Sequence, residues 1–209
     1  LIPQGSAFNA QRGVAKWPPK EEGGMERDKP IILKRDCAAV LVPSGENTTL
    51  SAGSTVWLTQ SLGGSFTAMT ELGHMVHIDG QDHDALGVAP ISSLTPDDGI
   101  AGENIEAVER CVWHQLRSCF DPEIPVNIVD LGLIYHCGVT RLAQGGYRSE
   151  VRFTLTARGC GMGQFLREDI RKKLLAVPGV REAEVELVWE PAWGQHMISE
   201  AAKLQLGIE

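Results

Sequence analysis

Between Glu103 and Phe120 the apolar residues Ile105, Val108, Val112, Leu116 and Cys119 recur at three- and four-residue steps, the spacing of one helix face. Acidic residues fall in the first turns, where they complement the helix macrodipole, and Asp121 with Pro122 closes the run. Two strand-like runs follow, LGLIYHCGVTRL and YRSEVRFTLT, separated by AQGG, which predicts a hairpin. In the second run Val151, Phe153 and Leu155 share one face, and Arg152 and Thr154 the other. ARGCGMG then leads into QFLREDIRKKLLAV, with Phe165, Ile170, Leu174 and Val177 as an apolar face and Pro178 and Gly179 as a stop. VREAEVELVW alternates apolar and acidic residues as an edge or half-buried strand does, and SEAAKLQLG predicts a short terminal helix. The order helix, strand, strand, helix, strand, with a helix appended, predicts an α+β sandwich with the helices on one sheet face.

Upstream the pattern is different. From Pro30 to about Leu86 short apolar runs alternate with turn residues: IILK, CAAVLV, then PSGENTT, STVWLTQ, SLGGS, FTAMT, ELG and HMVHID. This predicts a small all-β module over residues 30–86. Residues 87–102 carry two prolines, Asp97, Asp98 and glycines and read as a linker, so the α+β domain is expected over 103–209. Residues 1–29 hold three prolines and mixed charge with no apolar period, which predicts a poorly ordered arm. The chain opens at Leu1 rather than Met, as a fragment or a processed form would.

Composition narrows the function. The 209 residues are 43% hydrophobic and 22% charged, as in a globular protein able to bury a real core. The net charge of −8 gives phosphate little to hold, which argues against a nucleic-acid partner. From Glu71 to Glu109 there are nine carboxylates and no Lys or Arg, a solvated surface that would steer a basic partner or cations. Five cysteines, Cys37, Cys111, Cys119, Cys137 and Cys160, lack CxxC spacing, which argues against a disulfide framework or a structural zinc ribbon. No apolar run reaches the length of a membrane helix, and a reducing, cytoplasmic setting without membrane contact is expected.

Two segments carry candidate chemistry. In the first, TLTARGCGMG, a strand enters a glycine-rich turn at a helix start, with Cys160 at the turn. Gly159, Gly161 and Gly163 free the backbone and keep bulk from the thiol, while unpaired amides at the helix start and Arg158 favour an anion, and thiolate is one. The bland alternative is a small buried filler, which is the expected role of Cys111, Cys119 and Cys137, while Cys37, at the opening of the β module, is left more open. The second segment is DPEIPVNIVDLGLIY, residues 121–135, where Pro122 and Pro125 restrict the backbone and Asp121, Glu123 and Asp130 either cap the turn or form a rim that a partner or cation reads. Trp193, with Trp189 and Met197, reads first as packing of the terminal segment onto the sheet and second as a patch on that rim.

These residues carry a family resemblance. DPEIPVNIVDLGLIY, the TLT…CGMG turn and the ending VELVWEPAWGQHMISEAAKLQLG resemble the SufT family, associated with the SUF iron–sulfur assembly system. RDCAAVLVPSG, LTQSLGGSFT and DALG resemble that family's N-terminal extension, so only the arm is left uncovered. The resemblance implies an αββαβ domain of the iron–sulfur-assembly type and a non-enzymatic maturation role. It also implies that Cys160 is the functional thiol, meeting iron or an iron–sulfur cluster transiently, with SUF-type assembly proteins and apo iron–sulfur targets as partners. Gly161 after the cysteine follows the SufT pattern, while Pro191-Ala192-Trp193 departs from the two prolines often found there, and Ala157-Arg158 makes the approach to the thiol more cationic.

One cysteine cannot hold a cluster alone, so further ligands must come from a second copy of the chain, a partner or a small thiol; a homodimer is compatible with this. Two rival readings stay open. A thiol enzyme would use Cys160 as nucleophile with His114, His136 or His196 as base, and a metal-free interaction module would recruit assembly proteins only. His74, His77, Asp79, Asp82, His83 and Asp84 raise the question of a metal, but in a strand His74 and His77 point to opposite sides.

Overall fold

The computed structural model describes residues 29–89, 104–158 and 160–208. The expected arm, apart from Lys29, and the expected linker beyond Ala89 lie outside the described residues, as does Gly159. Six strands form the first sheet: β1 (Ile31–Ile32), β2 (Cys37–Val42), β3 (Asn47–Leu50), β4 (Thr55–Leu62), β5 (Ser65–Thr70) and β6 (Met75–Asp79). They run antiparallel in the order β1-β4-β5-β6-β2-β3. Cys37, Ala39, Val56, Phe66, Ala68, Val76 and Ile78 fill its core.

Two stretches differ from the sequence reading. PSGENTT is not all turn, because Asn47–Leu50 pairs with β2 as an edge strand with every second residue half-buried. The sheet also does not end the segment as strand. Asp79 accepts the Gln81 amide at 3.0 Å and starts a tight 3-10 turn that runs into α1 (His83–Leu86), whose Ala85 and Leu86 plug the core. Gly87, read as the start of the linker, closes α1 at φ 66°, a left-handed cap that favours glycine.

The second sheet is built as its pattern predicts. Asn104 caps α2 (Ile105–Arg117) by accepting the Glu106 amide at 3.0 Å, and Val108, Cys111, Val112 and Leu116 form the buried stripe. β7 (Ile134–Arg141) and β8 (Tyr147–Phe153) make the hairpin, α3 (Gly163–Leu175) follows, and β9 (Val180–Leu187) lies on the far side of β8. β9 pairs parallel to β8, which requires a crossover, and α3 supplies it.

α2 and α3 cover one face of this sheet, where Tyr147, Ser149, Val151 and Phe153 are buried. The other face is charged: Arg148 pairs with Glu182 at 2.6 Å and Arg152 with Glu186 at 3.2 Å. The alternation breaks at Thr154, which is buried rather than outward, because β8 ends at Phe153 and the Thr154 amide turns to donate to the Leu133 carbonyl. α4 (Glu200–Leu206) ends the described chain, capped by Ser199.

The first sheet is seated on the second unit at several points. The His77 ring lies against Phe165 of α3, and Lys172 of α3 pairs with Asp79 at 3.0 Å. Gln60 donates to the Asp121 carbonyl at 3.3 Å, and Gly63 fits against the Ser118 carbonyl and the Phe120 ring.

Candidate functional site

Cys160 sits in the leg that joins β8 to α3. Leu155 before it and Met162 after it are buried and anchor the leg on both sides, while Cys160 itself is half-buried against the core of the second sheet. α3 can start close to the sheet because Gly163 has no side chain: a Cβ there would come within 3.0 Å of Leu187 and 3.1 Å of Leu155. Gly161 has a different reason. A Cβ on it would run into the backbone of Ser44 and Gly45, in the turn between β2 and β3. Arg158 is turned to the end of the sheet, where it donates to the Trp189 carbonyl at 3.1 Å and pairs with Glu190 at 2.5 Å. Its charge is therefore shared with a carboxylate rather than offered alone to the thiol.

The loop at 121–135 is held by its own polar side chains. Asp121 Oδ1 accepts the amides of Glu123 at 2.8 Å and Ile124 at 3.2 Å. Burial pushes the Asp121 carboxyl up, against the effect of those two hydrogen bonds. Asn127 does the same work further on, accepting from Val129 and Asp130 and donating to Asp130 at 2.6 Å. The chemistry-based reading missed Asn127, although an Asn three residues before an Asp inside a loop is itself a turn signal.

The terminal segment then wraps this loop. Trp193 donates to the Leu131 carbonyl at 2.9 Å, the Ser199 amide to the Asp130 carbonyl at 2.8 Å, Gln205 to the Pro125 carbonyl at 2.8 Å, and Tyr135 to the Pro191 carbonyl at 2.8 Å. Trp193 and Trp189 are half-buried against the core. Of the expected rim, Glu123 and Pro125 are exposed, whereas Asp121 and Asp130 are engaged in holding the loop. No hydrogen bond or ion pair joins Cys160 to Asp121, Glu123 or Asp130 among the described residues. The two motifs are linked through shared neighbours: the segment after β9, and the first sheet, which touches Asp121 through Gln60 and Gly161 through Ser44.

Three of the remaining thiols are set apart by burial. Cys37, Cys111 and Cys119 are buried, and Cys137 is half-buried in β7. Burial pushes the thiols of Cys37, Cys119 and Cys137 up, the last to about 11. They are held as thiols, which are poor nucleophiles and poor metal ligands.

The histidine candidates are scattered. His114, His136 and His196 are exposed, and none is hydrogen-bonded to the Cys160 thiol among the described residues. His74 is exposed and His77 buried, while Asp82 and Asp84 are taken up by Arg35 at 2.8 and 2.5 Å. Among the described residues no three His, Cys, Asp or Glu side chains are grouped to hold a metal ion, and no helix is long and apolar enough to cross a membrane.

A family model described as iron-sulfur cluster assembly protein matches residues 109–187, which include β7, β8, the Cys160 leg, α3 and β9. An Fe-S protein maturation auxiliary factor of Porphyromonas gingivalis is 43% identical over 99 residues, covering 47% of this chain and 90% of that protein. Fe-S protein maturation auxiliary factor YitW of Bacillus subtilis is 34% identical over 104 residues, 50% of this chain and 98% of its own length. Fe-S protein maturation auxiliary factor SufT of Staphylococcus aureus is 36% identical over 88 residues, 42% of this chain and 96% of its own. Nearly the whole length of each relative is matched by about half of this chain, and the chain belongs to the SufT-type family of iron–sulfur cluster assembly proteins.

Proposed function

We propose that this protein is a non-enzymatic accessory factor in iron–sulfur protein maturation that acts through Cys160. The supporting observation is the contrast among its thiols: Cys160 is half-buried on a loop between strand and helix, while Cys37, Cys111 and Cys119 are sealed in the cores and Cys137, half-buried within a strand, has its thiol pushed up to about 11. In this reading the Cys160 thiolate ligates iron or a cluster as cargo, for the time of a handover. A cluster commonly takes four protein ligands, so the others come from a SUF-type assembly protein, an apo-target, a small thiol or a second copy. The exposed Glu123 and Pro125, on the loop braced by Asp121 and Asp130 and flanked by Trp193, form the rim that such a partner reads. A reducing compartment such as the cytoplasm suits this use of free thiols.

A nucleophilic enzyme is less well supported, because a thiol nucleophile is normally activated by an adjacent base and His114, His136 and His196 make no bond to Cys160. The domain plan that fits is a β module over 30–86, a linker over 87–102 and the assembly-type domain over 103–209.

The test is anaerobic reconstitution of wild type and Cys160→Ala with iron and sulfide, read by visible absorbance and by transfer to an apo-ferredoxin. Cluster held and transferred only by wild type supports the carrier. Equal cluster binding and transfer by the two proteins overturns a role for Cys160, and no cluster in either moves the function to metal-free recruitment.

A further inference from the structure

The backbone of the turn at 43–45 lies directly on the backbone of Gly161, one residue beyond Cys160. The fit is reciprocal. A methyl on Gly45 would strike the Gly161 carbonyl, and a methyl on Gly161 would strike the Ser44 carbonyl. The turn is itself well fixed, since Gly45 donates to the Leu41 carbonyl at 2.8 Å and the Leu41 amide donates to Glu46 at 2.8 Å. It is also not an isolated touch. The same sheet is held to the second unit by Lys172 with Asp79, by His77 against Phe165, and by Gln60 on the Asp121 carbonyl. Pro43 and Ser44 are exposed, and they belong to the turn that touches the residue next to Cys160.

We infer that the turn at 43–45 is a wall of the Cys160 site, supplied by the first sheet, that positions the thiol loop and sets the width of what reaches it. A small thiol, or one cysteine projecting on a narrow loop of a partner, passes; a broad flat protein face does not. The inference rests on the reading of Cys160 as the working thiol and adds a selectivity to it. Ser44 and Gly45 act here through backbone contact with Gly161, so they are positioning residues.

The experiment uses the full chain and two alkylating reagents, iodoacetamide and a maleimide carrying a large polyethylene glycol. Each rate is read by mass spectrometry on the tryptic peptide 159–167, in which Cys160 is the only cysteine. The ratio of the two rates cancels the intrinsic reactivity of the thiol and reports width of access. Gly45→Ala, which pushes the turn off Gly161, should raise the bulky-to-small ratio by at least about threefold. Gly53→Ala is the matched control: it has the same left-handed backbone, φ 83° against 76°, in the same sheet, but nothing among the described residues lies within 4 Å of its Cβ. Its ratio should stay at the wild-type value. Should Gly45→Ala not fold, Gly161→Ala removes the contact from the other side, at a position outside the left-handed region.

Equal ratios in wild type and the folded contact variants overturn the wall, and so does an equal rise in Gly53→Ala. The labelling assay needs no iron, so its failure is separate from a failure of the carrier reading, which shows only in the Cys160→Ala reconstitution.

Discussion

The imidazole of His77 on β6 meets the phenyl ring of Phe165 on α3 with centroids 4.4 Å apart and planes tilted by 57°. This contact joins the two sheets and buries a titratable group. His77 is only 7% exposed, and its Nδ1 has no hydrogen-bond partner among the described residues. Burial lowers its pKa from 6.5 to about 4; Asp169 opposes the drop, Lys173 adds to it and Asp79 opposes it.

Stability should therefore fall on acidification in a defined window. Above pH 6.5 His77 is neutral in both states and its contribution is complete. Below 6.5 the unfolded chain takes up a proton that the folded one refuses until about pH 4, so stability declines across that interval by on the order of 3 kcal/mol. Urea unfolding at a series of pH values measures this. His77→Phe, which keeps a ring against Phe165, should flatten the decline, and an unchanged slope would refute the assignment to His77.

Asp121 should matter as an acceptor and not as a charge. Asp121→Ala leaves the Glu123 and Ile124 amides without their acceptor and should cost about 1–2 kcal/mol. Asp121→Asn keeps an acceptor oxygen and removes a carboxylate that burial disfavours, so at neutral pH it should be close to neutral or slightly stabilising. Chemical unfolding of the pair decides the point: equal destabilisation would mean the charge itself is needed.

Trp193→Phe keeps most of the ring and loses the hydrogen bond to the Leu131 carbonyl. A loss of about 1 kcal/mol is expected, with faster amide exchange in the 121–135 loop that the terminal segment wraps. A drop in stability without faster exchange there would place the effect elsewhere.

Alkylation of the native protein should follow burial. Cys160 should react first and Cys137 later, because burial in β7 pushes the Cys137 thiol up to about 11, and Cys119 should be slower than Cys160 by at least about a hundredfold, because reaching it requires local unfolding. A time course with peptide mapping gives the order, and early labelling of Cys119 would contradict the packing around it.

Much of this fold is written in local pattern. The stripe of Val108, Val112 and Leu116, the alternation in YRSEVRF and the stop at Pro178 and Gly179 each act over a few residues, and each is found as an element in place. β3 was harder to see, since Asn47, Thr48 and Thr49 carry turn chemistry and pair only because β2 offers them an edge. The candidate site divides in the same way. The glycines around Cys160 announce close backbone approach, but that Gly161 approaches Ser44, more than a hundred residues earlier, follows from docking between units. Likewise the acids of the 121–135 loop stand out as chemistry in the sequence, while the Glu123 amide that Asp121 accepts and the Asn127 side chain that donates to Asp130 are visible only in the folded loop.

The parallel pairing of β8 with β9 has a kinetic consequence. Cys160 lies within the crossover between those strands, with the Thr154 amide tied to Leu133 on one side and the Leu166 amide tied to Met162 on the other. Such a thiol is carried between two anchored flanks rather than on a free arm. On the carrier role proposed above, supplier and recipient would meet the cargo at that one place, so each delivery would wait for the departure of the previous visitor, and a tightly held supplier would slow the very transfer it feeds.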